Sequence, residues 1–213
     1  MSGPSTKTFT SIGAAADIAE RLDLLARLHD REPDAGLLNG LRAFGVSKWF
    51  ADVLPSKRTA AARTAFQAAL AGLPDDLDQA TLDGLAADYA DIYLTFAYRI
   101  SPSGSVWLTE DHLERQAPMF DVRAWYKCYG IEVPDWRSRP DDHLVHQLQF
   151  LAMLLRAGDK QAIRDAAKFL DDSLLKWLPD FAARMQERVK KPFYVATAAL
   201  SMSVIEDIRD MLT

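Results

Sequence analysis

Asp142, His143 and His146 fall within five consecutive positions of the chain. A carboxylate and two imidazoles at that spacing could ligate a metal, move a proton, or pair with a charged partner. Histidines three apart share one face of a helix and could offer two metal ligands. No HExxH pattern, second histidine pair or cysteine cluster completes the set, so no metal is expected. The pairs His29-Asp30 and Asp111-His112 lack the spacing and surroundings of a helical metal phosphohydrolase. The single cysteine, Cys128, stands among Tyr126, Lys127 and Tyr129 without a partner histidine, and reads as a packing thiol. The ten glycines are scattered, mostly at helix ends, so no phosphate-cradling loop exists. Neither a catalytic residue nor a cofactor is assigned. A polar, titratable helix start beside an aromatic is also what a binding pocket could use.

The element that must position them runs from Trp136 to Leu155. Pro140 suits a first helical turn, where its missing N–H costs nothing. Asp141 and Asp142 would follow beside the free amides and the positive end of the helix dipole, with Ser138 or Arg139 as the cap. Leu144, Leu148, Leu151 and Leu155 recur at helical spacing and commit one face to a core. Asp142, His143, His146, Gln147 and Phe150 are then left on the flanks, splayed away from that core. The plainer reading is a well-capped core helix with no other role.

The 213 residues are enough for one sizeable core, and 49% hydrophobic with 26% charged residues is a globular composition. A net charge of −5 argues against nucleic-acid binding. One cysteine forms no internal disulfide, which points to a reducing compartment. The start, Met-Ser-Gly-Pro-Ser-Thr-Lys, has no signal-peptide pattern, and no apolar run approaches the ~20 residues that span a bilayer. A soluble, cytoplasmic protein without stable membrane insertion is expected.

Residues 1–9 read as a flexible tail, and 10–213 as one helical domain. Ile18, Leu22, Leu25 and Leu28 mark the first helix. Gly40, Gly45 and Pro55 break the apolar run from Leu37 to Leu54 into two short helices or one kinked one. Ala62 to Leu73 forms the next. Leu82, Leu85, Tyr89, Ile92, Tyr93 and Phe96 predict a helix with an aromatic shelf. After the loop Ser101–Leu108, in which Trp107 is either a plug over the core or a contact residue, Thr109 caps a helix that Pro118 interrupts. Val122, Trp125, Tyr126 and Tyr129 resume the pattern until Gly130. Asp159 caps a further helix, Trp177-Leu-Pro-Asp-Phe181 is a corner, and Pro192 opens the last helix. No Val/Ile/Thr alternation predicts a strand. The fold class is all-α, a single compact domain of roughly eight to ten helices.

Four separated motifs, in order, resemble the TorD/DmsD/NarJ family of molybdoenzyme maturation chaperones. They are Tyr89-Ala-Asp-Ile-Tyr93 with Ser105-Val-Trp-Leu108; Tyr126 with Tyr129-Gly130; Arg139-Pro-Asp-Asp-His143 with Gln147-Leu-Gln-Phe-Leu151; and Trp177-Leu-Pro-Asp-Phe181 with Phe193-Tyr194. Pro140, Asp142 and His143 match the family's peptide-binding motif. Arg139 departs from its usual Glu, Gln147 and Gln149 replace acids, and Ile92 and Tyr93 replace Leu-Phe.

The resemblance implies a non-enzymatic cytoplasmic chaperone. It would bind the N-terminal signal or leader peptide, and the apo form, of a molybdopterin oxidoreductase until the cofactor is inserted. The implied peptide-binding residues are Tyr89, Ile92, Tyr93, Trp107, Tyr126, Pro140, Asp142 and His143. Tyr89, Tyr93 and Trp107 would line a groove for the leader's apolar face, with Asp142 and His143 at its rim. A releasable complex would have a Kd near micromolar, about −8 kcal/mol, in a monomer or dimer. The competing reading is an all-α hydrolase or nucleotide-binding enzyme using Asp142, His143 and His146. A TetR-like regulator also fits in size, but the N-terminus lacks a basic recognition helix.

Overall fold

The computed structural model describes residues 12–212; the tail expected over residues 1–9 lies outside them. Five helices make the first part of the chain: α1 (Ile12–Asp30), α2 (Ala35–Phe44), α3 (Val46–Val53), α4 (Lys57–Ala71) and α5 (Gln79–Tyr89). A π turn, Ala90–Leu94, extends α5, and the one-turn α6 (Gly104–Leu108) and α7 (Ala117–Cys128) follow. Next come α8 (Leu144–Ala157), α9 (Lys160–Asp172), a 3₁₀ turn at Leu174–Lys176, α10 (Leu178–Arg188) and α11 (Pro192–Met211). The fold is all-α. Among the described residues the only isolated β-bridge joins Ser103 to His143.

Local chemistry sets most of the boundaries. Asp34, Ser56, Asp78 and Asp159 each accept a backbone amide of the first turn of α2, α4, α5 and α9. Gly45, at φ 69°, ends α2 and starts α3, so the Leu37–Leu54 run is two helices. Pro192 opens α11 as expected.

Helix α1 lies along α8, and α11 is flanked by α4 and α10. The α8 stripe Leu144, Leu148, Leu151 and Leu155 is fully buried, as are Ile18, Leu22 and Leu25 of α1. Each such side chain contributes about 1.5–3 kcal/mol of transfer free energy.

A polar cluster crosses this core. His29 of α1 is fully buried, with Nδ1 2.7 Å from the Tyr93 hydroxyl and Nε2 2.8 Å from Ser201 Oγ. Ser201 spends its own proton on the Thr197 carbonyl at 2.9 Å, so Nε2–H must donate to Ser201. Nδ1 then accepts from Tyr93. Burial pushes the imidazole down to about 3, and a neutral ring is what these bonds require.

Four expectations need correction. Helix α8 starts at Leu144 with His143 as its cap, so Pro140, Asp141 and Asp142 precede the helix instead of forming its first turn. Trp107 sits inside α6, not on an unstructured loop. The helix expected from Thr109 is absent: the chain turns through His112 and Arg115 at φ 51° and 62°, and Pro118 sits in the first turn of α7. The aromatic helix stops after the π turn, and Phe96 has φ 56°.

Candidate functional site

Two loops meet where the titratable residues lie. The segment before α6 and the segment before α8 pair through Gly104 N–H to Asp142 O at 3.1 Å and Leu144 N–H to Pro102 O at 2.7 Å. Asp142 then closes the junction. Its Oδ2 accepts both the backbone amide and the hydroxyl of Ser105, each at 2.6 Å, capping α6 from the opposite loop. Gln147 Nε2 donates to the Asp142 carbonyl at 2.7 Å.

Neighbouring residues fix the same loop from outside. Arg123 of α7 grips Asp141 with two parallel bonds, 3.1 and 2.8 Å, and its guanidinium also lies over Phe120 and Trp136. Tyr126 donates to Asp141 O at 3.0 Å. Arg139 pairs with Asp30 at the end of α1. Held from four sides, the loop has little freedom.

A cavity of about 270 Å³ opens at this junction. Its lining includes Gly104, Leu108, Val122, Asp142, Gln147 and Trp177, with Asp121, Asp172 and Lys176 adding charge. Three enclosed atoms of these residues lack a hydrogen-bond partner: Asp142 Oδ1, Gln147 Oε1 and Trp177 Nε1. Buried polar groups are rarely left so, and three at one cavity mark a place fitted for a polar guest. Gly104 makes the close packing possible, since a Cβ there would sit 3.2 Å from Trp177 Nε1. Burial pushes the Asp142 carboxyl up, the Ser105 bonds oppose that, and nearby Glu114 adds to it. Asp121, Asp142 and Asp172 against Lys176 give the lining three carboxyl groups and one ammonium.

The eight residues assigned from sequence do not form one exposed groove. Asp142 and His143 are 1% and 8% exposed, and Pro140 is buried; none splays into solvent. The His143 ring caps α8, Nδ1 accepting from Val145 N–H at 3.2 Å, and burial with Arg139 close by lowers its basicity well below the ordinary histidine range. Tyr89 and Tyr93 are buried, stacked at 4.7 Å, with Tyr89 donating to Asp30 O at 2.7 Å. Ile92 is core, and Tyr126 is buried against Phe150. Trp107 is half-buried and donates to Ser101 O at 2.8 Å, with Arg184 over its ring. An open shelf of Tyr89, Tyr93 and Trp107 is therefore not present. Of the eight, Asp142 lines the cavity; Tyr126, Pro140 and His143 brace its loop.

The residues that sequence reasoning did not assign to the site are Gly104, Ser105, Gln147 and Trp177. Ser105, Gln147 and Trp177 stand in the motifs that carry the resemblance, which was the available signal. Among the described residues, no group of three or more His, Cys, Asp or Glu side chains could hold a metal ion. No described helix is long and apolar enough to cross a membrane.

Known proteins are similar to part of this chain. The Chaperone protein TorD of Vibrio vulnificus (strain YJ016) is 34% identical over 119 residues, 52% of this chain and 55% of that protein. That of Psychrobacter sp. (strain PRwf-1) is 33% identical over 137 residues, 60% of this chain and 62% of its own. That of Vibrio parahaemolyticus serotype O3:K6 is 28% identical over 134 residues. The matched region thus spans between 55% and 62% of these curated relatives. Residues 59–183 match the nitrate reductase delta subunit family, and that stretch includes α6, α7, α8 and Trp177. On this match over more than half its length, the chain belongs to the nitrate reductase delta subunit family, the TorD/DmsD/NarJ group that its motifs resemble.

Proposed function

We propose that this protein is a cytoplasmic, non-enzymatic chaperone that binds the N-terminal leader of a molybdopterin oxidoreductase precursor and holds the apo form for cofactor insertion. The observation that carries the reading is the acidic cavity at the α6–α8 junction, with its unpartnered Asp142 and Gln147 oxygens. Leaders of this kind join an apolar stretch to arginines. A guanidinium offers five donors and matches a carboxylate together with an amide oxygen. Asp121 and Asp172 would meet the cation at the mouth, and Asp142 would take it at the floor.

The apolar stretch would lie across α6 and α7, where Leu108 and Phe120 are 38% and 52% exposed. Asp142 and His143 therefore act in peptide capture by different routes. Asp142 contacts the cation, while His143, Pro140 and Tyr126 hold its loop. Tyr89, Ile92 and Tyr93 support from behind, through the core.

The test is capture from cells that make a candidate oxidoreductase, with and without its leader, followed by calorimetric titration of the leader peptide. Leader-dependent capture that weakens about tenfold in Asp142→Asn supports the reading, as loss of a charged hydrogen bond should. Capture indifferent to both the leader and Asp142 refutes it.

A further inference from the structure

A second cavity of about 760 Å³ has the opposite character. Its floor is Ile100 and Val106, and its walls carry Phe96 and Leu113, which are 43% and 58% exposed. Four arginines line it, Arg99, Arg115, Arg184 and Arg188, against one carboxylate, Glu114. Glu114 is already engaged: Arg115 lies 2.9 Å away, and the Ser101 and Ser103 hydroxyls approach at 3.3 Å. Arg188 reaches the Tyr98 carbonyl at 3.3 Å and Glu187 at 4.0 Å. Arg99 and Arg184 have no carboxylate within ion-pair distance among the described residues, and Arg184 stacks on Trp107 at 4.6 Å. A strongly basic, apolar-floored cavity on a chain of net charge −5 is a local reversal of sign. Such reversals select partners by charge.

We infer that this cavity docks a polypeptide segment bearing a carboxylate between apolar side chains, a client segment distinct from any arginine-bearing leader. Free guanidiniums at Arg99 and Arg184 would take the carboxylate, in the charge-assisted geometry that arginine favours. Phe96, Leu113 and Val106 would take the flanking apolar groups. An arginine-bearing segment would meet four like charges there and be repelled. The walls are also unusual in their backbone. Phe96, Arg99, His112 and Arg115 are the four non-glycine residues with positive φ among the described residues, and all four line this one cavity. Residues held so cluster at ligand clamps. The inference stands whether or not the acidic cavity binds a leader.

The experiment uses three synthetic amphipathic peptides that differ only at two positions within a Leu/Phe face, occupied by Glu, Gln or Lys. Each is titrated calorimetrically into the full-length protein and into Arg99→Glu, Arg184→Glu and the double variant. Arg99 is exposed, so its variant keeps the fold even if loss of the Arg184–Trp107 stack lowers stability. The expected result is that the Glu peptide binds the parent at least about tenfold tighter than the Gln peptide, as charged hydrogen bonds imply. Arg99→Glu should reduce that preference, and the double variant should invert it in favour of Lys. Binding of an arginine-bearing leader peptide should be unchanged in Arg99→Glu. Equal affinity for all three peptides, or a Glu preference that survives both charge reversals, overturns the inference. Tripolyphosphate binding tighter than the Glu peptide through the same arginines would overturn it in favour of a polyanion site.

Discussion

Replacing His29 tests the polar cluster in the core through its pH dependence. The imidazole has an ordinary pKa of 6.5 and is pushed down to about 3 in the fold. Between those values the unfolded chain binds a proton that the folded chain refuses. Stability therefore rises with pH across this window and is lost as pH falls through it. Each unit below 6.5 costs about 1.4 kcal/mol, and the step from pH 7 to pH 5 costs about 2 kcal/mol. His143 and His146 are also held below their ordinary range and add loss of the same sign, whereas Asp142, pushed up, opposes it. The parent-minus-variant difference isolates His29. His29→Asn leaves Tyr93 or Ser201 without its partner, at about 1–3 kcal/mol, and a domain of ordinary stability survives that. Urea unfolding of both proteins at pH 7 and pH 5 should show the parent losing about 2 kcal/mol more than the variant. In the parent, the His29 ring carbons should keep the NMR shifts of neutral imidazole at pH 5. Parallel losses in parent and variant, or a protonated His29 ring at pH 5, would refute the reasoning.

Asp142→Asn should leave the thermal midpoint at pH 7 unchanged or slightly raised. A carboxyl whose folded pKa is raised contributes stability at low pH that is lost as pH rises through that value, so its charge is a burden at neutrality; a large fall in the midpoint would contradict this. His143→Ala should cost about 0.5–2 kcal/mol in urea unfolding, the value of a helix cap, and no loss would mean that its bond to Val145 contributes nothing. Leu148→Ala and Leu174→Ala, both at fully buried positions, should each lower stability by about 2–5 kcal/mol, and unchanged denaturant midpoints would show the packing to be wrong. Gly104→Ala should weaken leader binding in calorimetry by pressing a methyl group against Trp177; affinity equal to the parent would dissociate the acidic cavity from capture.

The sequence made the helices legible wherever local chemistry and tertiary packing agree. The α8 stripe, the Asp159 cap and the Pro192 start all follow from residues within one or two turns of each other. Thr109-Glu110-Asp111 shows where local signals mislead. It has the pattern of a helix start, but the chain instead folds back, with Thr109 donating to Ser105 O at 2.9 Å and His112 Nδ1 2.8 Å from Val106 O. The sequence singles out Asp142, which lines the α6–α8 cavity, but not its burial or its surroundings. Periodicity placed Asp142 in an exposed first turn because nothing local reveals Ser105, 37 residues earlier, whose amide and hydroxyl draw the carboxylate inward. The spacing of Tyr89 and Tyr93 suggests a shelf for a guest. Their hydroxyls are satisfied within the chain, by Asp30 and His29 at the far end of α1.

The His29 cluster also bears on the order in which a nascent chain can fold. Its three side chains come from α1, the π turn after α5, and α11, with the ring bonded to partners 64 and 172 residues away. The main partner of α1, α8, is likewise more than a hundred residues downstream. Contacts this distant in sequence slow folding, because loop closure must precede any reward from burial. Until α11 is made, α1 can pack on α8 but the His29 ring lacks its Ser201 acceptor. The cluster completes only once α11 emerges, so the last helix acts as a latch on the first.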